Sequence, residues 1–108
     1  MDQQRTLVSD SQELQTTFEE LLESKEVYYN PPASVKMRYP AVVYTRSEIT
    51  NRFANNNVYR QWNQYEVTVI SRDPDCDWIE KVSRMPRCSF VTSYVADNLY
   101  HNKFRLYR

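Results

Sequence analysis

Four groups of residues in this 108-residue chain have side chains of a type and spacing suited to chemistry. Asp73, Asp75 and Asp77 match the first three ligands of a calcium loop, where alternate carboxylates converge on one hard cation. The match then fails, because Trp78 stands where the loop needs glycine and Arg84 where a bidentate glutamate would close the sphere. Acids that cap a helix start and meet its dipole explain the three more simply. Cys88 and His101 are a candidate nucleophile and base, if the fold brings thiol and imidazole together. Glu66 is the only acid inside a strand pattern, and no partner carboxylate for acid–base work is obvious. Two cysteines without CxxC spacing and a single histidine do not make up a zinc site. We therefore expect no catalytic residues, no metal, no cofactor and no enzymatic activity.

The fourth group is the segment from Arg46 to Gln64. Arg46, Arg52 and Arg60 lie among Asn51, Asn55, Asn56, Asn57 and several glutamines, with Glu48, Phe53 and Trp62 in the same stretch. Basic and amide side chains beside an aromatic suit either a nucleic-acid backbone or the polar rim of a protein interface. Three arginines offset by Glu48 make a thin electrostatic footprint, which favours the protein interface. The candidate contact set for copies of the chain or for partner proteins is Arg46, Glu48, Asn51, Arg52, Phe53, Asn55, Asn56, Asn57, Arg60 and Trp62.

These groups must be held by elements that the hydrophobic spacing outlines. Leu14, Phe18, Leu21 and Leu22 form the stripe of an amphipathic helix over about Asp10–Lys25, started by a capping box of Ser9 and Gln12. Val27–Tyr29 reads as a short strand, closed by Asn30-Pro31-Pro32. Met37–Tyr44 and Val58–Ser71 read as strands, the second from the alternation of Tyr65, Val67 and Val69 with Glu66 and Thr68. Between them Ser47–Asn57 reads as a long polar loop, with at most a helical turn pairing Ile49 with Phe53. Asp73-Pro74 opens a second helix as N-cap and first helical residue, with Trp78, Ile79, Val82 and Met85 on its buried face and Pro86 as its stop.

The last two strands, Arg87–Val95 and Leu99–Tyr107, form a hairpin whose register the apolar pattern selects. A three-residue turn of Ala96, Asp97 and Asn98 pairs Phe90 with Phe104 and Cys88 with Leu106, whereas a two-residue turn pairs Phe90 with Arg105. The same register sets His101 opposite Ser93, on the other face from Cys88, either on an outer strand face or as a pH sensor at an interface. Phe18 and Phe90 are both expected in the core.

Composition narrows the function further. The chain has no glycine, so the glycine-dependent phosphate loops, dinucleotide fingerprints and nucleophile elbows are excluded. Asparagines must serve the turns that need left-handed backbone. Nine tyrosines either edge a small core or sit at subunit contacts, and for the set we expect several at contacts. Net charge is zero, but residues 1–36 are predominantly acidic and 37–108 predominantly basic, so copies of the chain can attract one another. A polar start and the lack of a long apolar run point to no signal peptide, no membrane span and a reducing cytosol.

Several ordered blocks resemble a known family. These are Glu19-Glu20-Leu21-Leu22 through Val27-Tyr28-Tyr29, Pro31 to Pro40, Tyr65 to Ile70 with Asp73-Pro74-Asp75, Val82 to Phe90, and Val95 to His101. From about residue 13 onward the chain is similar to the tail terminator or minor tail proteins of long-tailed bacteriophages, encoded among head–tail joining genes. The resemblance implies helices packed on a mainly antiparallel sheet and a ring, with a hexamer expected, at the head-proximal end of the tail tube. It further implies contacts with the tail tube protein and a neck or connector protein, DNA passing through the ring without specific recognition, and a place in the virion after assembly in the bacterial cytoplasm. A stopper or adaptor ring of the neck is the alternative in that class, and a nucleic-acid-binding module the alternative outside it. The expected fold is one α+β domain over residues 1–108, with a mainly antiparallel four- to five-stranded sheet, two helices and a long hairpin loop.

Overall fold

The computed structural model describes residues 10–54 and 57–108, with side chains described outside 53–60. Along the chain run α1 (Asp10–Leu22), β1 (Val27–Tyr29), β2 (Ala41–Ala54), β3 (Asn57–Ser71), α2 (Asp77–Ser83), β4 (Cys88–Ala96) and β5 (Leu99–Tyr107). The fold is α+β. Its five strands form one mixed sheet in the order β1-β2-β3-β5-β4, with β1 parallel to β2 and the other three pairings antiparallel.

Both helices cover one face of this sheet. Leu14, Phe18 and Leu22 recur every fourth residue along α1 and are buried against Val42 and Tyr44 of β2, Tyr65, Val67 and Val69 of β3, and Phe104 and Leu106 of β5. Trp78 and Val82 close the same core from α2. The intervening residues Thr45, Glu66, Thr68, Lys103 and Arg105 point to the open face, because strand side chains alternate.

Several boundaries differ from the sequence expectation, each for a local reason. Helix α1 stops at Leu22 and does not reach Lys25, because Glu23 takes φ 53° and the Ser24 N–H donates to the Glu19 carbonyl at 3.2 Å. This is a Schellman-type end. Ser9, the expected cap at the other end, lies outside the described residues. Helix α2 starts at Asp77, with Cys76 as its N-cap, and not at Asp73-Pro74. The Asp73 carboxylate is used a turn earlier, accepting from the Asp75 N–H at 2.9 Å, while the Ser71 hydroxyl donates to the Asp73 carbonyl at 2.7 Å. Asp and Ser commonly close turns on their own backbone in this way.

The largest correction concerns Ser47–Asn57. No helical turn pairs Ile49 with Phe53. Strand β2 continues through this stretch to Ala54 and pairs with β3 from Glu48↔Gln64 out to Ala54↔Asn57. The expected loop is a two-stranded ribbon. At about 3.4 Å per residue the fifteen residues of β3 span about 50 Å. That length accounts for overall dimensions of 51 × 28 × 26 Å.

In the final hairpin Phe90↔Phe104 and Cys88↔Leu106 pair as expected, for a different reason. The turn holds two residues, Asp97 and Asn98, both left-handed at φ 53° and 63°, with Ala96↔Leu99 closing it. Left-handed backbone at both central positions is what a two-residue hairpin turn requires. A bulge at Val91 supplies the one-residue offset expected of the three-residue turn. His101 therefore lies opposite Tyr94, not Ser93. Asn30 and Asn98 fill left-handed positions as expected of asparagine, and Glu23, Arg87 and Asp97 do so too.

Candidate assembly interface

The three catalytic candidates do not converge. Cys88 and Tyr94, the residue facing His101, are six positions apart on β4. Six residues of strand cover about 20 Å. Burial pushes the Cys88 thiol up to about 11, away from thiolate reactivity. The His101 ring stacks on Tyr94 with centroids 4.8 Å apart, and its Nδ1 lies 3.1 Å from the Leu99 carbonyl. Asp73 is engaged in its turn and Asp77 faces Lys81 at 3.7 Å. Among the described residues no group of three or more His, Cys, Asp or Glu is placed to hold a metal. Glu66 meets Lys103 at 3.7 Å on the open face.

The interface candidates gather on the ribbon. Glu48, Asn51 and Arg52 are exposed on β2, and the register sets Arg52 opposite Arg60 and Thr50 opposite Trp62. Phe53 and Asn57 are placed opposite Val58 and Ala54 by the same register. Asn55 and Asn56 lie outside the described residues. Arg46, by contrast, turns back onto its own chain. Its guanidinium lies 5.6 Å from the centroid of the Tyr65 ring, and Nη2 donates to the Tyr65 hydroxyl at 3.2 Å.

At the base of the ribbon, on the open face, Trp62, Thr50, Gln64, Arg87 and Tyr107 line a shallow recess of about 340 Å³. The Arg87 guanidinium lies 5.5 Å from the centroid of the Trp62 ring, a cation–π arrangement. Arg87 is set there by its φ of 57° and by its carbonyl accepting from the Tyr107 N–H at 3.1 Å. An aromatic wall with a few polar groups at its rim is the form of an anchor pocket for a partner side chain.

Sequence reasoning missed the most exposed apolar surface. Strand β4 is a sheet edge, and Phe90 (56% exposed), Val91, Tyr94 and Val95 (63% exposed) lie open to solvent on it. Phe90 touches Phe104 edge-on at 5.7 Å yet stays outside the core expected for it. The signal was present in Cys88–Ala96, nine residues with neither charge nor proline. Protected natural edges carry such residues to deter pairing.

The acidic-to-basic asymmetry along the chain is partly satisfied within one molecule. Arg108 Nε meets Asp10 Oδ1 at 3.2 Å and its Nη2 lies 3.8 Å from Glu13, while Lys25 reaches Glu19 at 3.5 Å. Glu20 and Glu23 lie along and just past α1, with Glu23 exposed. Of the tyrosines, Tyr44 and Tyr65 are buried, while Tyr94 and Tyr107 are exposed beside the edge strand and the recess. Among the described residues no helix is long and apolar enough to cross a membrane. Comparison with family models, with curated proteins and with solved structures gave no match.

Proposed function

We propose that this protein is a structural subunit that assembles with copies of itself into a ring at the head-proximal end of a phage tail tube. There it halts tube growth and joins the tail to the neck. The observation that carries an assembly role is the β4 edge, which no described strand pairs on its outer side, with four apolar side chains exposed on an uncharged strand. Monomeric proteins rarely leave such an edge open, because it templates uncontrolled pairing. The projecting ribbon, with Glu48, Asn51 and Arg52 exposed, is a contact surface for a neighbouring subunit, tube or neck. The resemblance of the ordered blocks to tail terminator proteins supports a ring of six subunits at that position in the virion, with tail tube and neck proteins as neighbours. DNA passes through the lumen without being read.

Negative-stain imaging of the purified protein, alone and mixed with tail tubes, tests this reading. Rings that cap tube ends are the expected result. A particle that stays monomeric in both cases contradicts it. Tight DNA binding that falls steeply with salt would instead favour a nucleic-acid-binding module.

A further inference from the structure

We propose that in the assembled ring the outer edge of β2, residues 48–52 of the ribbon, adds as a strand to the β4 edge of the neighbouring copy. This inference rests on the ring reading and names the contact that builds it.

Apart from the β3 side of the ribbon before Gln64, which carries Arg60 and no acid, the described strands offer three edges. The β1 edge is short and closed, since the Gln15 side-chain amide donates to the Val27 carbonyl at 2.8 Å. The β4 edge is nine residues long, uncharged and apolar. The third is the ribbon, because β1 pairs only with Val42–Tyr44 of β2 and leaves the outer side of the strand beyond Tyr44 without a β-strand neighbour among the described residues. A strand supplied to β4 by a second copy is therefore either that copy's β4 or its ribbon. Pairing β4 with β4 is a two-fold contact that closes on itself as a dimer, whereas a ring needs a head-to-tail contact between different surfaces. The ribbon is the edge that satisfies this.

Charge order agrees and favours one direction. On β2 the uncharged triplet Ile49-Thr50-Asn51 lies between Glu48 and Arg52, with Ile49 47% exposed. On the other strand the uncharged run lies between Arg87 and Asp97. Parallel addition turns Glu48 toward Arg87 and Arg52 toward Asp97, and antiparallel addition turns each toward the like charge. The four steps from Glu48 to Arg52 against the ten from Arg87 to Asp97 keep these pairs at a distance, so they bias direction and do not supply the contact. Main-chain hydrogen bonds then supply affinity. The exposed Phe90, Val91, Tyr94 and Val95 supply the apolar contact.

Disulfide trapping tests the contact. In the full chain with Cys76 and Cys88 replaced by alanine, Thr50→Cys and Thr92→Cys are introduced singly and together, and the oxidised protein is run on a non-reducing gel. Within one chain β2 and β4 are separated by β3 and β5. At ordinary strand spacing that is about 14 Å, too far for a disulfide. The double variant is expected to give a ladder of covalent oligomers, and each single variant none. A dimer from Thr92→Cys alone means β4 pairs with β4 and overturns the proposal. Rings seen by imaging but without a ladder overturn this contact and leave the ring reading standing, whereas a monomeric parent chain overturns both. As a second readout, Val95→Lys, a change at an exposed position, is expected to convert rings to monomers that keep the native circular dichroism spectrum. Rings that persist in Val95→Lys contradict the proposal.

Discussion

Tyr65 sits where the start of α1, Arg108 and the base of the ribbon meet. Its hydroxyl donates to Asp10 Oδ2 at 2.7 Å and accepts from Arg46, and Asp10 is held in turn by Arg108. Neighbouring Tyr44 places its hydroxyl 2.8 Å from the Ser11 carbonyl and 2.9 Å from Gln15 Oε1. Two core aromatics thus anchor the start of α1 through their polar tips. Tyr65→Phe removes two charge-assisted hydrogen bonds, one to Asp10 and one from Arg46, and leaves both charged groups less well satisfied. A loss of about 1–3 kcal/mol is expected in urea denaturation. Burial first, and the bond to Asp10 second, push the Tyr65 hydroxyl up from 10.0 to about 12, and burial also raises that of Tyr44. The folded state thus holds these protons more tightly than the unfolded chain does. The stabilisation is intact below pH 10 and is lost as pH rises toward 12, the sign that linkage gives for a raised value. Alkaline unfolding accompanied by phenolate absorbance is the expected observation, and Tyr65→Phe should weaken that pH dependence.

At the scale of elements, burial separates the two phenylalanines that looked alike in sequence. Phe18 is fully buried under the sheet, and Phe18→Ala should cost about 3–5 kcal/mol. Phe90 stands on the open edge, so in the monomeric Val95→Lys background Phe90→Ala should cost under about 1 kcal/mol in the same denaturation assay. Replacing residues 51–61 of the ribbon by a two-residue turn, closed in register by Thr50↔Trp62, should leave the stability of the monomer in urea nearly unchanged, since no described residue among them belongs to the core cluster. Loop closure costs change slowly with length. The same replacement should abolish ring formation. The helices and inner strands were legible because one side of each is buried, and that imprints a period of 3.6 or 2 on residues such as Leu14, Phe18, Val67 and Val69. The ribbon was not, because residues 48–52 are exposed on both faces and Ser47–Asn57 carries no alternation to mark a strand. The Val91 bulge was hidden for another reason: it compensates a shorter turn, so the pairings Phe90↔Phe104 and Cys88↔Leu106 agree with either account. The exclusion of a Cys–His pair survives that correction, because both registers keep the two residues far apart. The β4 edge escaped notice because Phe90 and Val95 have the composition of core residues, and only the strand order shows that nothing described lies beyond them.

At the scale of the whole molecule, one side of the sheet packs the core, and the proposed contacts lie on the β4 edge and the ribbon. A 51 Å body with a free apolar edge, a projecting ribbon and an aromatic recess at its base has little to gain as a monomer. The ion pairs that join Arg108 to Asp10 and Glu13 use up part of the charge asymmetry inside each copy, so shape and apolar edge contact, more than net charge, must drive assembly. Raising salt should therefore leave the oligomer in place, since exposed charge pairs are screened while apolar burial is not. The most direct measurement is the solution mass of the intact chain by light scattering. The account predicts a closed species of about six times the 13.0 kDa chain mass that persists in high salt and is lost in Val95→Lys. A single species at 13.0 kDa across the accessible concentration range would contradict it.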